Sequence, residues 1–424
     1  MHCPKLYGLV VLMFLAAPGF RAQDTLSSAQ VEEKSYALFL AKDWNALESF
    51  GKKALAAGND YYYLRLRMGI AYFSESDYLL AEHQFQKALA FNTADPLAME
   101  YLYFVYVYTG QYEEARKLSL LFPNEMSVRL GTDKLSPVGF VSLEGKTSVT
   151  NDAERIHYYQ AGLGHSIKDR ISLFHAVTYY TQDDNTASLK QFQYYIKAAI
   201  PIAQTWVLSG AVHLLNRDLT PRPQIDSVWF YPKPPPPNPQ NPHPMNPPPI
   251  RELQLGPPPP TQTTNFIVYS AQLKKTVNRF ECILGSSVSN FGNEAQINHN
   301  LGLTWYPFGN ARVSVNCTGY VYTSDLYSTL QTAVVPSITV LPYKTFCVSA
   351  SYLTCNGSNL VESNGYLVNN LPDALVSRWS FLAAVPLGKH FAAYAVYQVE
   401  DKLSAANNSP YSSNLILIGV KIKP

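Results

Sequence analysis

The stretch AQINHNLGLTWYPFGNARVSVNCTGYVY, residues 295–322, decides the fold. In 295–306, Ile297, Leu301, Leu303 and Trp305 fall on one face of an extended chain, and Gln296, Asn298, Asn300 and Thr304 on the other. In 311–322, Val313, Val315, Cys317 and Val321 oppose Arg312, Ser314, Asn316 and Thr318. Between them lies Pro307-Phe308-Gly309-Asn310, a tight turn whose proline ends the ladder where a missing N–H costs little. Strands of this length exceed the roughly 5 or 6 residues usual in soluble sheets and suffice to cross a bilayer at a tilt.

The same alternation recurs on both sides of this hairpin. Phe192, Tyr194, Ile196 and Ile200 oppose Gln191, Gln193 and Lys197, and Leu375, Trp379, Phe381 and Val385 oppose Arg378 and Ser380. The last strand, 412–422, puts Ile416, Ile418, Val420 and Ile422 on one face. Short turns fall at Lys168-Asp169, Pro201-Ala203, Val277-Asn278, Pro307-Asn310, Pro342-Lys344 and Pro386-Lys389, and mostly longer polar connections alternate with them. A soluble sandwich has no reason to keep its short turns on one side, whereas a transmembrane β-barrel does. Trp206, Trp305, Tyr306, Phe308, Tyr343, Phe346 and Phe391 gather beside the short turns, where an aromatic girdle belongs. The reading gives an antiparallel barrel of about 14 strands over 138–424. The even number places both barrel ends on the periplasmic side. Pro336 argues for a bulge within its strand or for a strand count off by one hairpin, and 356–373 has room for a short hairpin. The segment 221–260 holds 17 of the chain's 30 prolines, and runs such as Pro234–Pro237, Pro247–Pro249 and Pro257–Pro260 favour a solvated polyproline II conformation within an extracellular loop, 217–263.

Ahead of the barrel the period changes. Trp44, Tyr78 and Tyr112 are each 34 residues apart, as are Leu47, Ala81 and Ala115. A 34-residue period of paired helices is the tetratricopeptide signature. Gly69, Tyr72, Tyr78, Ala81, Phe85 and Ala88 occupy its small and aromatic positions. The expectation is six helices in three units over 23–122, followed by a linker at 123–137, so the fold class is α + β. Residues 1–22 resemble a secretory signal peptide, with Lys5 before an apolar core at Leu6 to Ala17. Cys282, Cys317, Cys347 and Cys355 match no zinc or redox spacing and read as small apolar fillers, a disulfide between Cys347 and Cys355 or across strands remaining open.

Net charge is +2, which gives no reason to expect a nucleic-acid partner. No phosphate loop, metal-ligand pair or nucleophile elbow is present, so no catalytic residue, metal or cofactor is assigned and the chain reads as a non-enzyme. Candidate lumen residues are Glu144, Lys146, Gln191, Gln193, Lys197, His213, Glu281, Asn298, Asn300, Arg312, Asn316 and Arg378, with Ser209 and Thr304 on the same faces. They could line a pore or form a closed polar core.

Together, the repeat core at Gly69–Pro96, the turn at 306–310 and the closing strand Asn414 to Ile422 resemble outer-membrane barrel proteins with an N-terminal tetratricopeptide domain, common in Bacteroidetes-like bacteria. The resemblance implies a bacterial outer-membrane location, lipid around the barrel and a periplasmic protein or peptide partner for the repeats. Passage or export of a solute or polymer leads as a function. A non-conducting surface scaffold is the alternative. A barrel hydrolase built on Ser209 and His213 comes third.

Overall fold

The computed structural model describes residues 27–133, 138–148, 154–167, 170–184, 187–203, 205–223, 225–230, 248–257, 259–291, 295–324, 327–343, 346–355, 359–369, 373–388, 390–404 and 408–423. The expected signal segment 1–22, the turn residues 168–169, 344 and 389, and the middle of the proline-rich segment lie outside them.

Among the described residues, helices come first: α1 (Ser28–Leu40), α2 (Trp44–Ala56), α3 (Tyr62–Ser74), α4 (Tyr78–Phe91), α5 (Pro96–Tyr108), α6 (Tyr112–Ser119) and α7 (Asn124–Leu130). Ser27, Asp43, Asp77 and Asp95 cap α1, α2, α4 and α5 through their side chains, each satisfying an otherwise orphaned N–H. The close crossing of α3 and α4 rests on Gly69, where a Cβ would stand 2.6 Å from the buried Phe85 ring. Tyr72, Ala81, Ala88 and Ala115 join Phe85 in the core, and Trp44 meets Phe39 edge-on. Two expectations need correction. Tyr112 is exposed at the start of α6, outside the helical core. The linker 123–137 contains α7, started at Pro123 and stopped by Gly131 in the left-handed region at φ 67°.

The strands come next: β1 (Val138–Ser148), β2 (Glu154–Ile167), β3 (Ile171–Asp184), β4 (Ala187–Ala203), β5 (Trp206–Pro221), β6 (Ile225–Phe230), β7 (Ile250–Leu255), β8 (Gln262–Val277) and β9 (Phe280–Ser289). The second half holds β10 (Gln296–Trp305), β11 (Val313–Ser324), β12 (Tyr327–Tyr343), β13 (Phe346–Cys355), β14 (Leu360–Glu362), β15 (Leu367–Asn369), β16 (Ala374–Pro386), β17 (Phe391–Leu403) and β18 (Pro410–Ile422). Fourteen of them, all except β6, β7, β14 and β15, close an antiparallel barrel in the order β1-β18-β17-β16-β13-β12-β11-β10-β9-β8-β5-β4-β3-β2. Val141↔Ile422 and Ser148↔Leu415 seal first strand to last, so the sheet has no free edge.

Two loops carry structure of their own. The proline-rich connection opens with β6 paired to β7 from Ile225↔Leu255 to Phe230↔Ile250, a ribbon that the sequence reading did not include. Pro336 makes no bulge. The β12–β13 register is the same at Val334↔Thr354 and Ser337↔Ser351, and the proline only leaves ladder positions unmade between them.

The wall is apolar outside and polar inside. Leu284, Ile297, Leu301, Leu303, Val315, Trp379, Phe381 and Ile418 are exposed on the outer surface, while Gln160, Thr178, Gln191, Ser287, Asn298, Gln331 and Glu400 are buried. Trp305, Phe308, Phe346 and Phe391 are exposed beside the short turns. Among the described residues no helix is long and apolar enough to cross a membrane. Among the described residues Cys282, Cys317 and Cys347 are free thiols, and Cys355 Sγ donates to Leu375 O (2.7 Å).

The helices sit at the short-turn end. The first turn of α4 donates Leu79 N–H to Gly309 O (2.9 Å), and Asn310 Nδ2 donates to Ser76 O (2.9 Å). Asp77, the cap of α4, pairs with Arg279, which also reaches Pro307 O (3.0 Å). On α6, Arg116 bonds Ser166 of β2 and Lys117 donates to Pro201 O of β4 (3.2 Å). The two sets of contacts lie several strands apart around the rim, so the helices span the mouth.

A plugged polar lumen as the candidate functional site

The connection from β13 to β16 turns inward. Its described part is β14, the single 3-10 turn η1 (Ser363–Gly365) and β15, and β14 pairs with β15 from Leu360↔Asn369 to Glu362↔Leu367. Ser363, Asn364 and Gly365 occupy the left-handed region at φ 52°, 59° and 82°. Only glycine takes that conformation freely, so the bend persists because its surroundings hold it. At Gly365 a Cβ would also meet Ser270 Oγ at 3.0 Å.

Those surroundings are the inward faces of strands spaced around the barrel. Tyr195 Oη (3.2 Å) and Ser270 Oγ (2.7 Å) both donate to Asn364 O. His213 Nδ1 lies 2.8 Å from Gly365 O; a carbonyl only accepts, so this nitrogen carries the proton. Asn298 Nδ2 donates to Val361 O (2.7 Å). Asn364 Nδ2 donates to Ser209 Oγ (3.1 Å), and Tyr366 Oη bonds Gln160 Oε1. Arg378 Nη2 reaches both oxygens of Glu362 at 2.9 Å, and both side chains are about nine-tenths buried or more. Asn369 Nδ2 adds a bond to Glu362 (3.2 Å). Residues 359–369 thus form a plug tied to β2, β4, β5, β8, β10 and β16.

Beside the plug remains a cavity of about 180 Å³, lined by Tyr158, Tyr180, Tyr195 and Tyr366, by Gln160, Gln191 and Gln193, and by a charged corner. In that corner Lys402 Nζ is 3.2 Å and Lys146 Nζ 4.0 Å from Glu400, with Arg378 and Glu144 nearby.

Of the other sequence candidates, Gln193 bonds Gln191 (3.1 Å) and stands 3.1 Å from His213 Nε2. Glu281 pairs with Lys274 (3.6 Å). Asn300 lies over Gly285, and Asn316 Nδ2 bonds Thr304 Oγ1 (2.9 Å). Lys197 feels Glu113 of α6 and Lys274. Arg312 is different: it precedes β11 and is exposed at the rim, in a cavity with Glu75 and Asp77, because the turn delays the strand start. Ser209 and His213 both hold the plug; neither bonds the other. Sequence reasoning missed Glu362, Asn364, Tyr366, Gln160, Ser270, Glu400 and Lys402. An Asn-Gly pair after the apolar Leu360-Val361 is the one local signal of a hairpin there.

At the short-turn mouth the buried acids belong to the helices. Glu82 of α4 accepts from Gln111 Nε2 (2.7 Å) and Gln86 Nε2 (2.9 Å), and desolvation pushes its pKa up to about 7 against those bonds. Burial also raises Glu114 on α6, which faces Lys274 of the lumen.

Among the described residues no group of His, Cys, Asp and Glu could hold a metal ion. No family model matches the sequence, and no curated protein matches it. Similar solved structures are barrels. A CymD monoaromatic hydrocarbon channel shares 8% identity over 69% of this chain and 90% of that chain, with a TM-score of 0.43. The toluene transporter TodX of Pseudomonas putida shares 8% over 71% and 93%, with a TM-score of 0.39. A FadL homologue of Pseudomonas aeruginosa shares 7% over 68% and 89%, with a TM-score of 0.38. At such values the likeness carries no functional argument, and the closed 14-strand barrel after seven described helices stands on its own ladder.

Proposed function

We propose that this chain is a bacterial outer-membrane barrel for passage of a solute, shut at rest by the 359–369 plug. The observation that carries the reading is the inverted wall: exposed Leu284, Leu301 and Ile418 outside, buried Gln191, Asn298 and Glu400 inside. Water favours the opposite arrangement, and hydrocarbon outside with a polar lumen inside favours this one. The helices at the short-turn mouth are then periplasmic, and as tetratricopeptide units they seat a protein partner. Exposed Tyr36, Leu40, Tyr63 and Tyr108 support such a seat.

Planar-bilayer recording tests the passage reading. The full chain is expected to conduct rarely, and a chain with 359–369 replaced by a Gly-Ser linker is expected to conduct steadily. A folded, plug-free barrel that passes no current would overturn it. That same result would favour the second reading, a non-conducting scaffold, for which the bonds across the lumen speak.

A further inference from the structure

Resting on the passage reading, we infer that the permeant is a small carboxylate bearing further oxygen acceptors, and that the plug occupies its binding site as a mimic. The wall offers the plug donors: Tyr195, Ser270, His213, Asn298 and Arg378. The plug supplies acceptors in return, namely the carbonyls of Val361, Asn364 and Gly365 and the carboxylate of Glu362. Two bonds run the other way and are outnumbered: Asn364 Nδ2 donates to Ser209 Oγ, and Tyr366 Oη donates to Gln160 Oε1. A segment recognised this way is an acceptor-rich guest with one negative charge.

Removing the plug takes Glu362 away and leaves Arg378 in the wall. Beside it stand Lys146 and Lys402 around Glu400, and toward the short-turn mouth Lys197 and Lys274 near Glu281. In the corner itself Arg378, Lys146 and Lys402 outnumber Glu400 and Glu144, whereas Lys197 and Lys274 at the mouth face Glu281, Glu113 and Glu114. Rings of charge set the sign of the ion a pore admits. The charged corner meets neutral amides and tyrosines across a space of about 180 Å³, which suits one small polyoxygenated acid better than an apolar solute.

The test uses the plug-free chain in a potassium chloride gradient, with Glu362→Gln in the full chain as a second route to open events. About threefold or greater preference for chloride over potassium is expected, and Arg378→Gln should at least halve it, roughly. Glucuronate should reduce the current at concentrations where glucose does not. Cation preference, no preference, or equal block by both sugars would overturn this inference while leaving passage standing. Absence of current from both chains would overturn passage itself.

Discussion

Replacing Glu362 by glutamine removes the plug's only charge while keeping its shape. Arg378 Nη2 lies 2.9 Å from both carboxylate oxygens, and Arg378 and Glu362 are 11% and 5% exposed. At about 4 Å and an effective dielectric near 20, such a pair is worth about 4 kcal/mol of Coulomb attraction. Glutamine still accepts one hydrogen bond, so the net loss is about 3 kcal/mol, in line with the 3–5 kcal/mol found on breaking buried pairs. The neutral bonds that remain, to Val361 O, Asn364 O and Gly365 O, are worth about 1 kcal/mol each. The ratio of released to seated plug should then rise by about 100-fold, since about 1.4 kcal/mol is tenfold. Single-channel recording of the full chain reads this as opening frequency. Arg378→Gln should produce a similar rise, and the double variant less than the sum, because both singles remove one interaction. An opening frequency within tenfold of the parent, or strictly additive singles, would refute the plug's reliance on this pair.

Leu301→Arg, on the outer face and 64% exposed, should cost about 2–4 kcal/mol of barrel stability in a bilayer, read by urea titration of folding into vesicles; no loss would count against lipid contact. Gly69→Ala drives a Cβ to 2.6 Å from buried Phe85 and should destabilise the helices by about 1–3 kcal/mol, read as a lower melting temperature. Glu82 gives a pH dependence. The unfolded chain releases this proton near 4.5 and the folded chain holds it to about 7, so stability falls as pH rises across that window, by about 3 kcal/mol. Hydrogen-exchange protection of α4 to α6 should therefore be higher at pH 5 than at pH 8, and Glu82→Gln should flatten the difference; equal protection in the parent chain would contradict it.

Local periodicity in this chain was enough to place the barrel strands. Strand reading needs only side chains two residues apart, and a face set wrongly by one residue would put Leu301 and Asn298 on the wrong sides at once. The helical period likewise located α1 to α6, and the close approach of Gly69 to Phe85 is one crossing it placed. Proline composition gave no sign of the β6–β7 ribbon, since those strands pair only across a long loop. Periodicity had no hold on Tyr112, whose exposure depends on which elements pack beside α6 in space.

The sequence alone suggested which residues of a strand share a face, because alternation is a property of neighbours along the chain; it failed at Arg312, exposed at the rim, and at Leu375, buried beyond a register shift. The filling of the lumen was decided only in three dimensions. Glu362 and Arg378 are 16 residues apart, but Asn364 meets Ser270, Ser209 and Tyr195 from 94 to 169 residues away. Each of those groups is an ordinary polar side chain in its own strand. They become a site because closing the sheet points them at one segment, and excluded water leaves that segment's carbonyls as their partners.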